Sequence, residues 1–248
     1  MLLKDFEAFV DGQQKACVAV LDKKGVEYAG TGDRLSSFRQ PSTLTKKAPE
    51  AIWLGYWSKG IVALYDNIAA GTEINPELIL DAINYLYLFR SLLTHTDGSA
   101  CSQEELMAEV QKQFDLCKNV LVEKAKTYCK DDDDRLGMFK RMAAITLTTP
   151  EDVLGSYMTK HTNSIIQGVR NQEVSIDFWN EKITDHINYL FLLGAIAAEK
   201  AAPVVKKTEV KSKKADKKAE PVPVATTEPA LFEIDGDPVD GDDPVEVL

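Results

Sequence analysis

Glu77, Asp81 and Asn84 stand at positions i, i+4 and i+7, and Glu181, Asp185 and Asn188 repeat the spacing about a hundred residues later. On a helix turning about 100° per residue, each trio falls within a wedge of about 60°. Two carboxylates and an amide on one strip suit Mg²⁺, with the Asn as a further ligand or as a donor to a phosphate or base. The competing reading is an ordinary solvated helix face. Against it, Asp and Asn are mediocre helix-interior residues, and all three identities coincide in two copies that differ at most neighbouring positions.

Two further repeated groups carry charge suited to phosphate. Asp33-Arg34 and Asp134-Arg135 offer either a loop Asp capping the next turn beside a phosphate-binding guanidinium, or a structural cap with a surface ion pair. Lys59 and Lys160 sit among bulky residues in mid-helix, where a lysine either reaches a phosphate or snorkels to water. The metal set expected from the two stripes is Glu77, Asp81, Glu181 and Asp185. The nucleotide set is Arg34, Lys59, Asn84, Arg135, Lys160 and Asn188.

Other chemistries lack residues. There is no GxxxxGK[ST] loop, GxSxG elbow or HExxH helix. Cys17, Cys101, Cys117 and Cys129 form no CxxC pair and the three histidines are scattered, so neither a zinc site nor a disulfide framework is expected. The acidic run Asp131 to Asp134 has only Asp33 as its counterpart, which suits a solvated loop.

The elements that must position these groups are written twice. "CVAVLDKKGVEYAG" from Cys17 matches "CKNVLVEKAKTYCK" from Cys117, and "DRLSSFR" from Asp33 matches "DRLGMFK" from Asp134. "PEAIWLGYWSK" from Pro49 matches "PEDVLGSYMTK" from Pro150, and "ELILDAINYLYL" from Glu77 matches "EKITDHINYLFL" from Glu181. Four matched blocks in one order predict a tandem duplication, able to imitate a homodimer through a pseudo-twofold axis. Each unit reads as three helices: one ending near Tyr28 or Tyr128, one starting at Pro49 or Pro150, and one running from Pro76 or Phe178 to about Leu93 or Ala198. Leu and Phe of "DRLxxF" would pack a short turn onto them. The expected fold class is all-α, a bundle of two tandem pseudo-symmetric three-helix repeats, residues 1–100 and 101–200, packed as one globular domain.

Composition bounds the rest. The 248 residues are 44% hydrophobic and 27% charged, ordinary for a globular chain. No apolar run is long enough for a membrane span, and Lys4, Asp5 and Glu7 interrupt any signal-like start, so a cytoplasmic protein is expected. A net charge of −10 disfavours direct nucleic-acid binding. Residues 201–248, first lysine-rich and then acidic, read as a disordered tail, either a solvating appendage or a partner-binding segment anchored by the apolar knot from Ala230 to Ile234.

Lys24, Tyr28, Phe38, Lys59, Asp81, Asn84 and Tyr85, with Lys124, Tyr128, Phe139, Lys160, Asp185, Asn188 and Tyr189, give each unit a pattern that resembles the nucleotide modification associated domain 1 family of phages and bacteria. The closing D-x-x-N-Y helix is also similar to that of MazG-type all-α nucleoside triphosphate pyrophosphohydrolases, although their E-E-x-x-E cluster has no counterpart around Glu50 and Asp66, so that this resemblance implies Asp33 and Asp134 as the extra metal ligands, with both units converging on one site. The resemblance implies a nucleotide ligand and, if the protein is an enzyme, Mg²⁺-dependent attack of water on the α–β phosphate linkage, in a bacterial host cytoplasm if phage-encoded. The alternative is a noncatalytic module that sequesters a nucleotide or docks a protein through its tail. Either a pseudo-dimeric monomer or a homo-oligomer fits the duplication.

Overall fold

The computed structural model describes residues 1–29, 32–128, 134–171 and 174–202. Met1–Val204 forms one compact unit. The tail expected to be disordered lies outside the described residues from position 203 onward, as do Cys129 and Asp131 to Asp133. The described residues form eight helices: α1 (Leu3–Ala29), α2 (Ser36–Thr45), α3 (Pro49–Ala70), α4 (Pro76–Thr94), α5 (Gln103–Tyr128), α6 (Gly137–Thr146), α7 (Pro150–Arg170) and α8 (Ile176–Ala201). Among them there is no strand, only an isolated bridge between Leu2 and Asp134. The protein is all-α, and no described helix is long and apolar enough to cross a membrane.

Local chemistry sets the helix starts. Proline occupies the first turn of α3, α4 and α7, where its missing N–H costs nothing. Asn75 Oδ1 accepts the Glu77 N–H at 2.9 Å, Ser175 Oγ accepts the Phe178 N–H at 3.2 Å, and Thr149 with Asp152 closes a reciprocal capping box. Gly71, with φ of 64°, ends α3 in the left-handed region and turns its N–H back to Asn67 and Ile68 carbonyls.

Each half has four helices, where three and a turn were expected. The "DRLxxF" turn continues into ten-residue helices α2 and α6 because Leu35, Phe38, Leu136 and Phe139 are buried and anchor it, while its polar remainder hides the helical period. In α2, the Thr43 and Thr45 hydroxyls donate to the carbonyls four residues back, those of Arg39 and of the internal Pro41.

The helices pair as α3 with α4 and α7 with α8, and the pairs meet where α4 packs on α8 and α3 on α7. Helix α1 lies against α4, and α5 against α8 and α4. At the centre Trp53 stacks on Phe89 at 4.0 Å and on Trp57 at 5.1 Å, and Trp179 meets Phe89 edge-on at 4.9 Å. Each such aromatic contributes on the order of 2 kcal/mol through burial. Trp53 Nε1–H also donates to the Tyr85 carbonyl oxygen at 2.6 Å, pinning α4 to α3. Ile79, Ala82, Ile83, Leu86 and Phe89 are thereby committed to the core. Asp81, Asn84, Tyr85 and Leu88 form the other face.

Candidate functional site

That other face of α4 is one wall of a cavity of about 510 Å³. Helix α1 contributes Lys24, Gly25 and Tyr28, the turn before α2 contributes Arg34, and α2 contributes Ser37, Phe38 and Leu44. Tyr56 comes from α3 and Leu106 from α5, in the other half of the chain. A second cavity of about 180 Å³ is lined by Leu121, Lys124, Arg135, Met138, Phe139, Tyr157, Asp185, Asn188, Tyr189 and Leu192. By the sequence match each has its counterpart in the larger cavity: Leu21, Lys24, Arg34, Ser37, Phe38, Tyr56, Asp81, Asn84, Tyr85 and Leu88.

The aromatic rings of the larger cavity are grouped. Phe38 lies 6.1 Å from Tyr56 and 6.5 Å from Tyr85, centroid to centroid. Burial, and then the Asp81 carboxylate, push the Tyr85 hydroxyl above its ordinary range, so it remains a neutral donor. Lys24 Nζ donates to Asp81 Oδ1 at 2.7 Å. Burial pulls the Lys24 ammonium down, but this bond and charge outweigh it and the net shift is upward. The Arg34 guanidinium lies so close to the α1 backbone that a Cβ on Gly25 would stand 2.7 Å from Arg34 Cζ. Gly25 is thus the point where the guanidinium comes closest to the 27-residue helix α1.

Asn84 is the least satisfied group in this wall. It is 5% exposed, and neither its Oδ1 nor its Nδ2 has a hydrogen-bond partner in the protein. A buried amide without partners costs about 1–3 kcal/mol, a cost that a ligand in the cavity would remove.

The smaller cavity uses the same residues differently. Asn188 Nδ2 donates to the Cys117 carbonyl oxygen at 3.2 Å, although its Oδ1 lacks a partner. Asp185 pairs with Lys124 at 2.7 Å and has His161 Nδ1 at 3.8 Å; Gly60 stands at the position of that histidine in the first half, and a Cβ there meets nothing within 4 Å. Burial, ahead of the Asp185 charge, keeps His161 below its usual range and mostly neutral near pH 7. Met138 replaces Ser37, adding volume to the wall, and Ala125 replaces Gly25. The Arg135 Cζ sits 5.4 Å over the Phe6 ring of α1.

Not every residue singled out in the sequence reaches a cavity wall. Asp81, Asn84 and Arg34 meet in one, and Asp185, Asn188 and Arg135 in the other. Glu77 is exposed in the first turn of α4, and exposed Glu181 is ion-paired to its neighbour Lys182 at 2.5 Å. Lys59 and Lys160 are exposed on α3 and α7 and line neither cavity. Asp33 ties the chain instead: Oδ1 accepts the Leu35 and Cys101 N–H groups at 3.0 and 2.9 Å, and Oδ2 accepts Arg39 at 2.8 Å. Asp134 does likewise with the Leu136 N–H, Lys140 and the Met1 amino group. Burial pushes the Asp134 carboxyl up, but the Lys140 and Met1 bonds outweigh it and hold it below the usual range. Each cavity is left with one carboxylate, already neutralised by a lysine.

The larger cavity offers stacking faces, a neutral amide edge and cations. Buried Cys17 and Cys117 offer no nucleophile, since desolvation pushes both thiols up to about 12. No family model, curated protein or solved structure matches the chain.

Proposed function

We propose that the larger cavity binds a nucleotide, and that the protein holds it without hydrolysing it. The observation that carries this reading is Asn84, a buried amide with all its hydrogen-bonding capacity unspent in a cavity walled by Phe38, Tyr56 and Tyr85. A primary amide offers one acceptor and two donors in a plane, which matches a nucleobase edge, and the tyrosine and phenylalanine rings supply stacking faces. Lys24 exchanges Asp81 for a phosphate as the ligand enters, and Arg34 adds positive charge to the same wall. At about 510 Å³ the cavity falls within the range of about 300–1,000 Å³ common for small-molecule sites.

The resemblance to nucleotide modification associated domain 1 proteins supports the same ligand class. Lys24, Tyr28, Phe38, Asp81, Asn84 and Tyr85, six of the seven residues that carry it in the first half, belong to this cavity. Mg²⁺-dependent hydrolysis of the MazG type finds less support, because Glu77 and Asp33 lie outside the carboxylate set of the wall and Asp81 stands alone there. The matched linings of the two cavities support a duplication in which the first copy keeps the open site.

Incubation with a panel of ribo- and deoxyribonucleoside mono- and triphosphates, with and without Mg²⁺, tests this by thermal shift, calorimetry and pyrophosphate release together. The reading expects a stabilising nucleotide, no turnover, and loss of stabilisation in Asn84→Leu. Pyrophosphate release that disappears in Asp81→Ala would establish the hydrolase instead. Absence of stabilisation across the panel would remove the nucleotide reading.

A further inference from the structure

Between α4 and α5 the chain brings together His95, Cys101 and Glu105, with one ligand atom from each lying within 4.8 Å of the other two. His95 closes α4, Cys101 is fully buried in the connecting segment, and Glu105 lies in the first turn of α5. We propose that these three residues bind a zinc ion, with a water or an exogenous ligand in the fourth position.

The donor set selects the metal. Thiolate, imidazole and carboxylate together suit tetrahedral Zn²⁺, whereas Mg²⁺ and Ca²⁺ take oxygen ligands almost exclusively. Zn–S and Zn–N bonds of about 2.3 and 2.0 Å place tetrahedral ligand atoms about 3.5 Å apart, so the side chains need to close by little more than about 1 Å.

The histidine is already oriented. His95 Nδ1 lies 2.9 Å from the Ser91 carbonyl oxygen and 3.2 Å from Thr94 Oγ1, and with Nδ1 donating to that carbonyl the Nε2 lone pair is the one a metal would take. A metal-ligating imidazole commonly has its other nitrogen held in this way. Glu105 is held too, one carboxylate oxygen accepting the Ser102 N–H at 2.8 Å while Ser102 Oγ accepts the Glu105 N–H at 3.2 Å.

The backbone beneath the cluster is pinned at several points. Cys101 N–H donates to Asp33 Oδ1 at 2.9 Å, and its carbonyl oxygen accepts the Arg34 N–H at 2.9 Å. Arg39 donates to the carbonyl oxygens of His95 and Ser99 at 3.1 and 2.5 Å. The fold does not itself require a thiol here. In the second half the equivalent joint is closed by the Arg135 N–H to the Met1 carbonyl oxygen at 3.0 Å, and Met1 and Asp5 stand where Cys101 and Glu105 do.

Binding transfers the Cys101 thiol proton to solvent and forms a thiolate–zinc bond, with no change of oxidation state. The ion would staple the end of α4 to the start of α5, and so the first half of the chain to the second.

The full chain, freed of metal with a chelator, is titrated with Co²⁺ as a spectroscopic probe and then with Zn²⁺. Thiolate-to-cobalt charge-transfer absorption is expected, displaced by Zn²⁺ and absent from Cys101→Ser with helix content unchanged by circular dichroism. The exposed Glu105→Gln, which leaves folding intact, is expected to weaken Zn²⁺ binding at least tenfold. No charge-transfer band in the wild-type chain, a band that survives in Cys101→Ser, or unchanged affinity in Glu105→Gln overturns the proposal.

Discussion

Lys24 Nζ on α1 and Asp81 Oδ1 on α4 lie 2.7 Å apart in the wall of the larger cavity, and Lys124 and Asp185 repeat the distance in the smaller one. The Lys24 and Asp81 side chains remain 46% and 37% exposed, so the pair contributes at most about 1 kcal/mol to stability. Its larger effect is on charge. While Asp81 is ionised, an incoming phosphate competes with it for Lys24. Asp81→Asn is therefore expected to leave the urea midpoint nearly unchanged and to tighten binding of a phosphate-bearing ligand, on the order of tenfold at low salt. Calorimetry at two ionic strengths measures this. Weaker binding would mean that the carboxylate itself touches the ligand.

Asn84 and Asn188 should respond differently to the same substitution. Asn84→Leu removes two buried unpartnered atoms and is expected to raise stability by about 1–2 kcal/mol while abolishing ligand binding. Asn188→Leu also sacrifices the bond to the Cys117 carbonyl, so it should be less stabilising by about 1 kcal/mol, and it should leave binding at the larger cavity intact. Denaturant titration beside calorimetry tests both halves of the statement. A destabilised Asn84→Leu would mark Asn84 as a structural residue.

Gly25→Ala opposes helix propensity to site geometry. Alanine improves α1 by about 1 kcal/mol, yet its Cβ would meet the flexible end of Arg34 and displace the guanidinium. Stability should hold or rise by up to about 1 kcal/mol, and affinity for a phosphate-bearing ligand should fall about tenfold. Equal affinity would show that Arg34 is not used.

His186 makes stability fall in mild acid. It is fully buried, neither ring nitrogen has a partner, and burial, with a smaller effect from His161, pushes its pKa down to about 3. In the unfolded chain the pKa is about 6.5, so between about pH 6.5 and 3 the unfolded state binds a proton that the folded state refuses. Stability is therefore lost as pH falls through that window, on the order of 2 kcal/mol between pH 7 and 5. His186→Leu should flatten this slope in urea titrations at the two pH values.

What was legible in the sequence was mostly local. Pro49 and Pro150 marked the starts of α3 and α7 because proline at a first helical turn is a short-range rule. The wheel correctly put Asp81 and Asn84 on one face, but angle alone does not say how far along a helix a cavity extends. Glu77 shares their direction and is exposed in the first turn, while Tyr85 and Leu88 further along line the cavity. Lys59 and Lys160 illustrate the same gap, since which face of α3 or α7 meets α2 or α6 is a matter of packing. The cap reading of Asp33 rests on Arg39 nearby and on Cys101, 68 residues away, a partner that local spacing does not reveal. Gly25 stands opposite an alanine in the matching segment and lies against Arg34, whereas Gly12 of the same helix meets nothing within 4 Å, so a helical glycine alone does not mark a close approach. The spacing of His95, Cys101 and Glu105 matches no zinc motif, and only the turn between α4 and α5 brings them together.

Leu106 begins the second half of the chain and yet helps to wall the cavity of the first, just as Phe6 underlies Arg135 in the second. The larger pocket is not the property of one half, so cutting the chain near residue 100 would breach it. Joining the halves also brings a freedom that identical protomers lack. In a symmetric dimer every substitution strikes both pockets at once, whereas here Gly25 and Ala125, or Ser37 and Met138, are separate codons, and one pocket can close while the other stays open.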